Sequence, residues 1–430
     1  MRAAILTVGS EITTGRIADT NAQWVSGRLL GIGITTGLML SVDDVGEDIA
    51  AALRTALSWG ELVWVTGGMG PTADDITVST LAGALGLSMV EDPGTASRVK
   101  EWYSRRGTPP SRESLRQAQV PAGARVFANP VGSAPGLIVE AGGRTVVMLP
   151  GVPAEMKALA EGFILPALAG RGIPTETRIF KMAGVPESVV DARVRDVWKG
   201  LGPGETLALQ IESGEVFLRA KVSGPDGARA AARMGELEAA LRARLGPDLY
   251  ATGDETLEGA VVARLKAMNS TLATAESVTG GMLASRIVAV PGASGVFVGG
   301  LVAYGEGEKT RMLGVPGELI ASHGAVSPET ASAMASAARK VTGADWVVAT
   351  TGYAGPGGAT ERGATERGAT ERGATERGAT ERDPVGTVYL ALEGPGVATV
   401  ERRWFRGERN TVRTYAVTHA LEILRRGLGS

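Results

Sequence analysis

The feature that most constrains this chain is the alternation in its opening 66 residues. Apolar runs at 3–8, 35–42 and 61–66 alternate with amphipathic helical patterns at 21–30 and 49–59. Strands this apolar are buried on both faces, and a helix between each pair makes neighbouring strands parallel. An α/β domain around a parallel sheet is therefore expected over 1–170, completed by strands at 137–140 and 145–149 and a helix ending near 168. The charged stretch between them, 91–125, reads as helical with a solvated face.

Glycine and proline gather at 169–174 and mark a boundary. Segment 171–253 reads as a small α+β connector, with no convergent polar cluster, and 254–430 returns to an α/β pattern. Three domains suit a chain of 430 residues. A formal charge of −2 with 21% charged residues gives no electrostatic reason to expect nucleic acid as the main partner. No apolar stretch reaches the ~18 residues of a membrane span. The absence of cysteine fits a reducing compartment, so a cytoplasmic protein without a membrane partner is expected.

One stretch organises the chemistry: Ala275-Glu-Ser-Val-Thr-Gly-Gly281, between a short apolar run and a helical pattern at 282–290. A hydroxyl at a strand-to-helix turn lies beside the unpaired N–H groups of the helix start, which stabilise a developing oxyanion. Ser277 is the candidate nucleophile. With no cysteine and only His323 and His419 as imidazoles, a lysine becomes the candidate base. The bland alternative is that Ser277 caps the helix.

A second stretch, Thr66-Gly-Gly-Met-Gly-Pro-Thr-Ala-Asp-Asp75, follows the third strand. Glycines at a strand's carboxyl end let backbone N–H groups face a phosphate, where open α/β sheets bind ligands. Asp74 and Asp75, with Asp43 and Asp44 on the same edge, are candidates to hold a hard cation. The alternative is a tight turn with helix-capping aspartates.

Thr7 to Gly15, Asp19-Thr-Asn21, Asp43-Asp44, the glycine run and Asn129-Pro-Val-Gly-Ser-Ala-Pro-Gly136 together resemble the molybdopterin-binding superfold. Their order is similar to the N-terminal domain of the CinA family, in which that domain is a metal-dependent ADP-ribose pyrophosphatase. By that resemblance Gly67, Gly68 and Gly70 cradle the diphosphate with Asn21 and Ser133, and Asp44, Asp74 and Asp75 serve a divalent metal, with a monovalent cation as its candidate companion. Glu11 is a further candidate there. An alternative is that this domain binds or transfers a molybdopterin-type nucleotide.

The second half also resembles the family. Tyr304-Gly-Glu-Gly-Glu-Lys309, His323-Gly-Ala-Val-Ser-Pro328, Thr350 to Gly358 and Trp404 to Arg409 are similar to its nicotinamide mononucleotide deamidase domain. The resemblance implies a Ser277–Lys309 mechanism without a cofactor, Tyr304 relaying or orienting the proton, and Glu276 orienting the lysine. It places Glu276, Thr279, Gly280, Gly281, Thr351, Gly352 and Arg409 around the substrate. Val278 stands where the family commonly has cysteine, and Gly305-Glu306 where a Ser-Asn pair is common. A homodimer acting on nicotinamide mononucleotide and ADP-ribose is expected; a non-catalytic competence or DNA-uptake adaptor is the alternative from another class.

Residues 358–382 repeat Gly-Ala-Thr-Glu-Arg five times. A five-residue period matches neither the helical nor the strand repeat and builds no apolar face. It is expected to form a solvated loop that leaves the fold intact, since closure free energy rises only ~0.6 kcal/mol per doubling of length.

Overall fold

The computed structural model describes residues 1–355 and 383–429; the five repeats lie outside the described residues. The chain divides into two compact units, 1–177 with 221–234, and 178–220 with 235–430. A four-stranded sheet is drawn from 175–252 in the order Glu205–Glu212, Glu215–Ser223, Thr175–Ala183, Leu249–Thr252.

The first unit is built on a six-stranded sheet. Its order is Thr35–Val42, Arg2–Val8, Leu62–Thr66, Arg144–Leu149, Gly136–Ala141, Arg125–Phe127. The first four strands are parallel, and the last two run antiparallel. The expected parallel sheet is thus mixed at one edge, because 136–141 and 144–149 are joined by the tight Gly142-Gly143 turn, too short for a crossover. Alternation places Ala4, Leu6, Val63 and Val65 in one core and Ala3, Ile5, Leu62 and Trp64 in another on the opposite face. Both faces are covered, as buried parallel strands require.

The single helical stretch expected at 91–125 is broken into several pieces. Met89–Glu91 is a strand, Pro93–Ser104 a helix capped by Asp92, and Arg112–Leu115 a single turn capped by Ser111. Gly107 at φ +72° and the Pro109-Pro110 pair prevent the first helix from continuing.

The second unit holds a five-stranded sheet ordered Phe297–Val302, Leu272–Glu276, Trp346–Gly352, Thr387–Gly394, Val397–Trp404. The first three strands are parallel and the last two antiparallel. Val397–Trp404 and Leu249–Thr252 are strands that the sequence pattern did not reveal, the former because its outer positions are charged. Leu272, Trp346, Val348 and Leu390 pack on the final helix, Arg409–Gly427. Ala273, Ala275, Val347 and Ala349 pack on the opposite face, which includes the helix Pro328–Thr342.

The connector, read from sequence as lacking a convergent polar cluster, contributes Glu215 and Tyr250 to one completed by two residues of the following segment. Buried Glu215 accepts from the Tyr250 hydroxyl and from Arg286, whose guanidinium also meets Glu258 at 2.5 Å. These residues are far apart in sequence, so no local pattern could announce them.

Candidate active site

The strand Leu272–Glu276 lies between Phe297–Val302 and Trp346–Gly352, with Glu276 paired to Val302 on one side and Thr350 on the other. Ser277 therefore leaves the carboxyl end of a central strand, its amide donating to the Thr350 carbonyl at 2.9 Å. The helix Met282–Val288 begins only after Gly280 and Gly281, whose φ values of +58° and +92° turn the chain sharply. Glycine alone adopts such angles without penalty.

Lys309 lies in the helix Glu306–Leu313 and is 2% exposed. Its Nζ sits 3.0 Å from Ser277 Oγ. Burial pushes the Lys309 ammonium below the usual lysine range, with Glu306 opposing that shift in part. A neutral amine at this distance can take the serine proton. Ser277 is itself only 6% exposed, so the pair is shielded from bulk water.

Tyr304 is placed differently from the sequence expectation. Only its backbone carbonyl approaches Ser277 Oγ, at 3.5 Å, while the residue is 58% exposed and its hydroxyl accepts from Arg409. Arg409 also donates to the Gly355 carbonyl at 2.6 Å. A proton relay through the phenol has no support in this geometry. Tyr304→Phe is expected to leave kcat within a few-fold of the parent, whereas loss of an obligatory relay would lower it ~10²-fold or more; steady-state turnover distinguishes the two.

Glu276 does not touch the lysine. It is fully buried, and its carboxylate accepts from the amides of Gly281, Leu283 and Ala284 at 2.9, 3.1 and 2.8 Å and from the Thr279 hydroxyl at 2.7 Å. A carboxylate at a helix start satisfies orphan N–H groups and meets the positive end of the dipole. The helix-start amides expected to face an oxyanion are thus already engaged. Thr279 and Thr351 are likewise buried, bonded to Thr350 Oγ1 at 2.7 Å and the Ala325 carbonyl at 2.8 Å, and their hydroxyls serve the fold. Gly352 packs so closely that a Cβ would lie 2.6 Å from the Thr387 carbonyl.

Sequence reading missed Arg413. Its Nε donates to the Val278 carbonyl at 3.2 Å and its Nη2 to the Thr279 carbonyl at 3.0 Å, gripping the serine turn from the last helix. The available signal was its four-residue spacing from Arg409, which places both on one helix face.

In the first unit two cavities flank the glycine run. One, of about 260 Å³, is lined by Gly68, Met69, Gly70, Asp75, Arg116 and Gln117. The other, of about 80 Å³, is lined by Thr7, Glu11, Asn21, Thr66, Gly67 and Gly151. Gly67 has φ +101° and Gly68 +62°, and a Cβ at either would collide at 2.0 Å, with the Val8 carbonyl or Thr77 Oγ1. The Gly67 amide donates to Leu149 and the Gly70 amide to Asp75, so two of the three expected cradle amides are engaged. Close packing explains these glycines.

Asp75 also has another task. Its carboxylate accepts from the amides of Gly70 at 2.6 Å and Thr72 at 2.7 Å and so closes the tight turn, while the helix Thr77–Ala84 has no side-chain cap, contrary to the capping part of the alternative reading. Asp74 accepts from the Thr72 hydroxyl, which lowers its pKa. Ser133 lines neither cavity. Asp44 accepts from the Ser10 amide at 3.1 Å, yet burial, with Glu11, Asp43 and Asp74 adding repulsion, holds its pKa above the usual carboxylate value. No three carboxylate or imidazole groups converge as a metal cluster among the described residues. The charge of the Asp44 region nonetheless suits a cation, and Thr7 Oγ1, Thr66 Oγ1 and Asn21 Oδ1 are buried without partners.

Family models match in three places: "Probable molybdopterin binding domain" at 4–170, "Damage-inducible protein CinA KH domain" at 177–251, and "CinA C-terminal domain" at 254–368 and 368–428. A CinA-like protein of Myxococcus xanthus is 38% identical, over 100% of this chain and 98% of its own length. A CinA-like protein of Parasynechococcus marenigrum is 38% identical, over 99% and 97%. A crystal structure of the protein CinA from Thermoplasma acidophilum is 37% identical, covering 38% of this chain and 95% of its own, with a TM-score of 0.36. No helix among the described residues is long and apolar enough to cross a membrane. With full-length relatives at this identity and all three segments matched in order, the chain belongs to the CinA family.

Proposed function

We propose that the second unit hydrolyses a carboxamide, with nicotinamide mononucleotide as substrate. The observation that carries this reading is a buried lysine amine 3.0 Å from a serine hydroxyl at the end of a central strand. The substrate comes from the family resemblance. Ser277 Oγ attacks the carboxamide carbon while Lys309 accepts its proton, and the carbonyl electron pair moves onto oxygen. Collapse of that adduct breaks the C–N bond, and Lys309 returns the proton to nitrogen, which leaves as ammonia. Water then attacks the ester with Lys309 as base again, releasing nicotinate mononucleotide and restoring the Ser277 hydroxyl. Mass spectrometry of the incubated nucleotide tests this reading: a one-unit mass gain, lost in Ser277→Ala, supports it, and an unchanged nucleotide with the parent protein overturns it.

For the first unit we propose metal-dependent hydrolysis of ADP-ribose. Asp44, with Asp74 beside it, would hold a divalent ion, whose contribution is to neutralise diphosphate charge. The unpartnered polar atoms in the smaller cavity favour a polar ligand there. Asp44→Asn is expected to reduce ADP-ribose turnover ~10²-fold or more while sparing amide hydrolysis. Equal loss of both activities, or none, would overturn the assignment.

A further inference from the structure

The capture of the helix-start amides by Glu276 raises the question of what receives the charge on the carbonyl oxygen. Resting on the amide-hydrolase reading, we infer that the amides of Val278 and Thr279 form the oxyanion hole and that Arg413 is its positioning residue.

In a trans peptide the C=O and N–H of one unit point in opposite directions, and no peptide bond among the described residues is cis. Arg413 Nε holds the Val278 carbonyl at 3.2 Å, so the Thr279 amide of that same unit faces away from the guanidinium. The Ser277 carbonyl accepts from the Gly280 amide at 3.1 Å, which likewise fixes the direction of the Val278 amide. Arg413 Nη2 adds the Thr279 carbonyl at 3.0 Å, so one planar fork sets consecutive peptide units. Asn410 Oδ1 accepts from Nη1 at 3.3 Å and steadies the fork from its own helix. On the other side, the Glu276 carboxylate pins the Thr279 hydroxyl and the Gly281 amide. The serine turn is therefore braced from two directions, and its two amides immediately after the nucleophile engage no acceptor among the described residues. Preorganised donors of this kind act on the transition state more than on bound substrate.

The test compares the full-length parent, Arg413→Lys and Arg413→Met with nicotinamide mononucleotide. Lysine is a single flexible donor and cannot reproduce the fork; methionine removes it. The expected result is a kcat lowered ~10- to 100-fold in Arg413→Met, with KM within a few-fold and the acidic limb of the pH profile unmoved. Arg413→Lys should fall between parent and Arg413→Met, and added guanidinium ion should partly restore the methionine variant. A rise in KM at constant kcat would make Arg413 a substrate-phosphate ligand and overturn the inference. So would parent-like kinetics in both variants. A shift of the pH limb would show an effect through Lys309 and also overturn it. Inactivity of the parent chain would instead sink the amide-hydrolase reading itself, so the two failures are distinguishable. If Arg413→Met does not fold, the KM and kcat split in Arg413→Lys decides.

Discussion

Ser277→Ala is expected to remove turnover of nicotinamide mononucleotide to within background, a loss of at least ~10⁴-fold, because the neighbouring Thr279 and Thr350 hydroxyls are bonded to each other and Thr279 to Glu276. Lys309→Met is expected to lower kcat ~10²- to 10⁴-fold, the usual range for a general base. The parent should show an acidic limb in kcat/KM whose midpoint lies below the ordinary lysine pKa of ~10.4, since burial depresses the Lys309 ammonium. Activity rises with pH through that limb as the amine loses its proton. Stability has the same sign: between the folded and unfolded pKa values the unfolded chain binds more protons, so the fold gains stability as pH rises. Methionine carries no charge to bury, and Lys309→Met should unfold no earlier than the parent at pH 7. A dead but stable variant thereby separates lost chemistry from lost structure. Retained turnover in either variant, followed by mass spectrometry, would end the serine–lysine proposal.

The second large effect is on stability. Glu276→Ala is expected to destabilise the second unit by about 3 kcal/mol or more, because each buried amide left without a partner costs ~1–3 kcal/mol. Three amides and the Thr279 hydroxyl lose their acceptor together. Glu276→Gln keeps one acceptor oxygen but turns an NH₂ group toward N–H donors, so it should be intermediate. Urea unfolding followed separately in each unit measures this, since a chain with two units has no single midpoint by right. An unchanged transition in Glu276→Ala would show that water replaces the carboxylate at no cost.

The strand-to-helix junction at Ser277 was legible because apolar runs and glycines announce it locally. So were the strands of the first unit at 3–8, 61–66, 137–140 and 145–149, whose hydrophobic pattern is continuous. Lys309 was harder: in isolation a lysine two turns after an apolar strand reads as solvated, and only tertiary packing buries it. Glu276 was misread because helix starts are usually capped by short side chains one position before the helix, and this carboxylate reaches in from a strand six residues earlier. Asp75 was misread for the opposite reason: its partners, Gly70 and Thr72, are so near in sequence that its role is local turn geometry. The glycines at 67 and 68 have the spacing of a phosphate loop, but what excludes a side chain there is their own fold, through Val8 and Thr77.

The strands on either side of the repeats are hydrogen-bonded neighbours, with Gly352 opposite Val388, and Tyr353 exchanges bonds with Thr387 and Gly386 just beyond. That clasp fastens both ends of the tract to one antiparallel ladder. The register of that ladder is thus set by residues on both sides of the tract, none of which belongs to a repeat unit.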